Sequence, residues 1–196
     1  MVNAKKGQIP QMFERLFKVL SSERFIHREG LGGNKPIFIQ PYDIVQQVEV
    51  DEHISSLIKR LEAAGILILP IDLYELFLQI LKNSGTLEKI LEGEQSMSKR
   101  EFKRGLQGST NTKESIIPFF QRKMKDSNHK IIFVYGIDKV HPLISIVPIL
   151  SEVQTILDKA PFVFFYPGIY DNFSLNLFGC INETNEYRAR NLDNYS

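Results

Sequence analysis

Apolar residues along the chain follow two kinds of pattern. Ile9, Met12, Phe13, Leu16, Phe17 and Leu20 recur at intervals of three and four, which predicts an opening amphipathic helix with one face in the core. Four other segments, "PIFIQPY", "GILILPIDL", "KIIFVYG" and "PFVFFYPG", are apolar with little polar alternation, as strands buried on both faces of a parallel sheet are. Helical spacing returns between them. Asp51 is placed to cap a helix whose face carries Ile54, Leu57, Ile58 and Leu61, with Gly65 as its stop. Further helices are predicted over 73–80 and 86–91, and after Pro142, where Leu143, Ile146, Val147, Leu150 and Val153 share a face. Ser98 with Glu101, and Asn111 with Glu114, have capping-box spacing and predict two more short helices. "SLNLFGCI" follows the last strand closely enough to pair with it as a hairpin. The fold class that follows is α/β, a layered fold with a mostly parallel mixed sheet of about five strands flanked by helices. One domain over 1–196 is expected, with a short flexible tail after about 191.

Composition narrows the function classes. Hydrophobic residues make up 43% and charged residues 24% of the 196 positions, which suits a folded globular chain and not a disordered one. No signal-peptide core follows Lys5 and Lys6, and the apolar runs are far shorter than the roughly 20 residues of a spanning helix. No membrane association is expected. The single cysteine, Cys180, excludes an internal disulfide, and the four histidines at 27, 53, 129 and 141 lack zinc-ligand spacing. A reducing cytoplasm is the expected setting.

Net charge is only +1, yet it is unevenly spread. Residues 94–130 hold nine Lys and Arg against four acids, a local +5, which leaves fifteen bases against nineteen acids elsewhere. Lys99, Arg100, Lys103, Arg104, Arg122, Lys123 and Lys125 are therefore candidates for phosphate or nucleic-acid contact. A solvated helix face accounts for them more simply, because few aromatics are interleaved for base stacking. Each of the four proposed parallel strands also runs into an aspartate: Asp43, Asp72, Asp138 and Asp171. Carboxyl ends of strands line the usual ligand crevice of an open α/β sheet, so these four are candidate ligands for a cation such as Mg²⁺. Helix capping is the favoured reading of the same positions.

The glycines at 30, 32 and 33 precede a strand instead of following one, which argues for a turn and against a phosphate loop. No Ser-His-Asp, Cys-His or glycine-flanked serine arrangement can be assembled, and His141 reads as structural. No catalytic residue and no cofactor is assigned. A nucleotide- or metal-binding enzyme, or a DNA-binding module using 94–130, is the competing class. Pro167 and Gly168 in "FFYPGIYD" suit the centre of a type II turn. Tyr166, Tyr170 and Arg188 are then candidates for a partner-facing surface, with completion of the local core as the alternative for the tyrosines.

Read in order, "KIIFVYGIDKVHPLISIVPIL", "PFVFFYPGIYDNFSLNLFG" and "NEYRARNL" resemble the small B subunit (BrxB) family of BREX phage-exclusion systems. The layout of "PIFIQPYD" and "GILILPIDL" before a long helical region is similar too, so the resemblance spans most of the chain. It implies a cytoplasmic, non-enzymatic accessory or assembly component of an antiviral system. The implied partners are that system's large ATPase, its methyltransferase and its alkaline-phosphatase-like protein, with contact to DNA at most indirect.

Overall fold

The computed structural model describes residues 8–27, 36–93, 98–108, 110–156, 160–183 and 189–195. Glycines 30, 32 and 33 and Arg188 lie outside them. The chain opens with helices α1 (Gln8–Leu20) and α2 (Glu23–Ile26), then strand β1 (Ile37–Tyr42), a 3₁₀ turn and α3 (Gln47–Ala63). After β2 (Ile68–Asp72) come α4 (Leu73–Asn83), α5 (Thr86–Gly93), α6 (Lys99–Gly108), a π-helical turn and α7 (Ile117–Lys125). Then follow β3 (Ile131–Tyr135), α8 (Ile137–Val140), α9 (Ile146–Ile156), β4 (Phe162–Tyr170), β5 (Leu175–Leu177), β6 (Ile181–Glu183) and β7 (Arg190–Asn191). The main sheet has the order β2-β3-β4-β1-β7, and β5 and β6 extend it antiparallel from the end of β4.

Every pairing within the main order is parallel, and strand residues alternate between two cores. Ile37, Ile39, Ile132, Val134, Phe162 and Phe164 pack with α4, α7 and α9 on one side. Phe38, Ile131, Phe133, Val163 and Phe165 pack with α1 and α3 on the other. This is the predicted α/β layering, with helices on both faces of a mostly parallel sheet. Burying each phenylalanine stabilises the fold by roughly 2–3 kcal/mol, so the unbroken apolar strands specify the middle layer.

Local chemistry sets the element ends. The Ser98 box closes as its spacing predicts: the Ser98 backbone N–H donates to Glu101 Oε2 at 2.9 Å, and the Glu101 N–H donates to Ser98 Oγ at 3.3 Å. Asn111 Oδ1 accepts from the N–H groups of Lys113 and Glu114. Asp51 is not a cap. The helix begins at Gln47, after a turn capped by Asp43, which places Asp51 in its second turn.

The main order has the five strands expected, and among the described residues β5 and β6, into which "SLNLFGCI" breaks at a turn, bring the sheet to seven. Two further expectations are corrected. Pro167 and Gly168 are not a corner. They lie inside β4, where Pro167 aligns with Tyr42 of β1 and Gly168 with Leu177 of β5. Here β4 passes from its parallel partner to its antiparallel one, and the chain reverses only at Asp171–Ser174. Finally, residues 192–195 are not a loose tail: Leu192 is fully buried, and Arg15 holds this segment against α1.

Candidate functional site at the carboxyl end of the sheet

Since β1, β2, β3 and β4 run parallel, their carboxyl ends share one end of the sheet, and all four predicted aspartates are there. Three of them hold backbone. Asp43 Oδ1 accepts the Val45 N–H at 3.1 Å, and Asp72 Oδ1 accepts the Tyr74 N–H at 2.8 Å. Asp171 Oδ1 accepts from the N–H groups of Phe173 (2.9 Å) and Ser174 (2.7 Å), and these bonds hold its pKa below the usual value. Asp138 differs, with Oδ1 buried and without a hydrogen-bond partner among the described residues. Burial, the largest influence, raises its pKa. Among the described residues no three His, Cys, Asp or Glu side chains are placed to hold a metal ion. The aspartates share an end of the sheet but do not assemble into a cation site.

Instead, this end holds a bridged polar network that sequence reasoning missed. The Tyr42 hydroxyl donates to Gln47 Oε1, Gln47 Nε2 donates to Asp51 Oδ1 at 2.8 Å, and Lys139 Nζ lies 2.9 Å from Asp51 Oδ2. Asp51 thus ties α3 to α8. Burial opposes charge on Lys139, but its bond to Asp51 and the nearby Asp72 and Asp138 raise its pKa on balance. Burial, reinforced by Asp138 and Asp51, keeps the Tyr42 phenol protonated. Tyr135 is pushed up to about 12, again mainly by burial. Gly136 closes the arrangement at a φ of 77°: a Cβ there would lie 2.6 Å from Asp72 Oδ1.

Beside this network opens a cleft of about 920 Å³ between α1 and the ends of β1 and β4. Met12, Ile44, Ile169 and Phe178 supply apolar wall, and Gln8, Gln11, Gln46 and Asn191 supply amides. Arg15, at its rim, is already engaged. Its guanidinium donates to Leu192 O at 2.6 Å, to Gln40 Oε1 at 3.1 Å and to Asp193 Oδ1 at 2.5 Å. Fully buried Gln40 also donates to Asp193 Oδ1 at 3.1 Å. The one sequence signal for this clamp was an amide inside the otherwise apolar "PIFIQPY".

The tyrosine candidates belong to the core, not the surface. Tyr166 is 1% and Tyr170 3% exposed, and the Tyr170 hydroxyl donates to Ala189 O at 2.9 Å. The basic candidates divide between the two ends of the sheet. Lys99 opens α6, while Arg100, Lys103 and Arg104 are exposed along it. This helix reaches the loop after α8, where Gln107 Nε2 donates to Pro142 O and Lys103, after burial, depresses the His141 pKa. Arg122, Lys123 and Lys125 are exposed in the last turn of α7, ahead of the amino end of β3.

Exposed apolar side chains are distributed unevenly. Of the eight large ones among the described residues, Val45 (75%), Val48, Tyr74, Ile169 and Phe173 (86%) all follow or end strands at the carboxyl end. Isolated exposed hydrophobics are ordinary, whereas five of the eight at one end of the sheet are an uneven distribution. The fold and this end define the chain as an α/β/α layered protein with an apolar, acid-rich strand-end surface.

The chain matches the family described as BREX protein BrxB over residues 69–192. It is 30% identical over 187 residues to the BREX protein BrxB of Bacillus cereus (strain H3081.97), covering 93% of this chain and 96% of that protein. It is 24% identical over 170 residues to the BREX protein BrxB of Escherichia coli O9:H4 (strain HS), covering 87% and 84%. The chain belongs to the BrxB family, and by that membership is a component of a BREX phage-defence system whose other components are its partners. No solved structure matches it. No helix among the described residues is long and apolar enough to cross a membrane.

Proposed function

We propose that the protein acts without catalysis of its own, as an accessory or assembly component that joins other proteins of a BREX-type defence complex in the cytoplasm. The observation that carries this reading is the set of five exposed apolar side chains at the carboxyl end of the sheet. Its strand-end carboxylates support it too. Asp43, Asp72 and Asp171 spend hydrogen-bonding capacity on loop backbone and Asp51 on Gln47 and Lys139, which suits a rigid platform better than a reacting centre. A nucleotide in the cleft would set its phosphates beside Asp43 and Asp193, with Arg15 already paired to the latter. The test is co-purification of the tagged full chain, expressed with the genes flanking its own, followed by mass spectrometry and sizing at two salt concentrations. A defined complex with at least one BREX protein is expected. Elution of the chain alone under both conditions refutes the reading.

A further inference from the structure

The loops that leave the carboxyl ends of the strands are acidic, although the bases of α6 reach the one after α8. The segments 43–52, 72–75, 136–141 and 169–174, which lead away from the four parallel strands, contain eight acids and one base, Lys139. That lysine is paired with Asp51 at 2.9 Å. The last turn of α7, which leads towards the amino end of β3, carries Arg122, Lys123 and Lys125. Part of this acidity follows from helix physics, since α3, α4 and α8 start at the carboxyl end and acids are favoured at helix N-termini. Helix physics does not call for Val45, Val48, Tyr74, Ile169 and Phe173 to stand exposed among those acids. Nor does it call for a cleft of about 920 Å³ beside them, walled by Met12, Ile44 and Ile169.

An apolar centre with a charged rim is the anatomy of a protein-binding surface. The sign of the rim selects the partner: acids repel phosphate, so nucleic acid and anionic lipid are disfavoured, whereas lysines and arginines are drawn in. Resting on the reading of the chain as an interaction component, we propose that the carboxyl-end cleft and its rim dock a segment of another BREX protein that presents apolar anchor side chains flanked by lysine and arginine. An anchor of that segment enters the cleft between Ile44 and Ile169, and its basic flanks face Asp43, Glu49, Glu52 and Glu75. The amides of Gln8, Gln11 and Gln46 are suited to a polypeptide backbone, which offers both donors and acceptors.

The test compares the unaltered chain with two surface variants, each co-expressed with the flanking genes and isolated through its tag. One is Val45→Lys with Phe173→Lys, which replaces the apolar positions by charge of the disfavoured sign. The other is Arg122→Glu with Lys123→Glu at the opposite end. All four side chains are exposed, and circular dichroism with a thermal melt verifies folding. Where a double variant melts early, the single changes replace it. The carboxyl-end variant is expected to lose the complex by about tenfold or more, as removal of interface anchors does, while the amino-end variant retains it. For the unaltered chain, raising salt should slow association more than it speeds release. Retention of the complex by the carboxyl-end variant, or its loss in the amino-end variant alone, overturns the inference and leaves the interaction reading intact. A complex that proves to be only the chain with itself assigns the surface to a second copy and overturns the choice of partner. No complex of any kind with the unaltered chain overturns both.

Discussion

Replacing Gly168 by alanine tests whether Pro167 and Gly168 lie within β4 or form a corner. A β-carbon at Gly168 would lie 2.2 Å from the Asn176 carbonyl oxygen and 3.0 Å from Tyr166 Cε1. Inserting a methyl group into packed structure costs about 1–3 kcal/mol. The obstacle here is the backbone of a paired strand, which cannot rotate aside, so the upper end, about 3 kcal/mol, is expected. For a chain of 196 residues, each kcal/mol lowers Tm by roughly 2–4 °C, which gives a fall of about 6–12 °C. Leu175 and Leu177 are buried in the core on the strand that must move, so backbone amides of β5 should lose hydrogen-exchange protection with the stability. A type II corner would instead need a positive φ at Gly168, and the positive-φ glycines among the described residues are Gly65, Gly85, Gly136 and Gly179. Urea unfolding followed by far-ultraviolet circular dichroism, together with hydrogen exchange, reads both effects. A loss below about 0.5 kcal/mol, with β5 protection unchanged, would refute the close approach of the two strands.

Three other outcomes follow from the same structure. Asp72→Ala removes the acceptor for the Tyr74 N–H and should cost about 1 kcal/mol in urea unfolding, with Asp72→Ser retaining most of it. Arg15→Ala breaks the bonds to Leu192 O, Gln40 and Asp193. Discounted for a side chain about one-third exposed, the loss should be about 2 kcal/mol, with faster hydrogen exchange over 190–195. Burial raises the Asp138 pKa in the folded state, so the folded protein binds the proton more tightly than the unfolded one and stability falls as pH rises through that window. Asp138→Asn should therefore stabilise at pH 7, with an advantage that shrinks as pH drops through the raised pKa; a pH-independent difference in urea midpoint would contradict this.

Much of the fold was legible because the signals are local. An unbroken apolar strand implies burial on two faces, as Phe162–Phe165 show in alternating between the two cores. The Ser98 box closed because its two partners are three residues apart. The aspartates at 43 and 72 acted as caps, and Asp171 held a turn, because their acceptors reach N–H groups two or three residues ahead. Tertiary structure decided whatever depended on distant segments. Gln40, Arg15 and Asp193 meet across up to 178 positions of sequence, and no local spacing encodes that clamp. Pro167 and Gly168 have the composition of a turn, but the arrival of β1 on one side and β5 on the other makes them strand. The sequence by itself determined the layers, the helix starts at Leu73 and Lys99, and the uneven spread of charge. Strand order determined which loops became neighbours, and thereby gathered the acids and exposed hydrophobics at one end, because parallel strands bring to a common edge residues that the chain holds far apart.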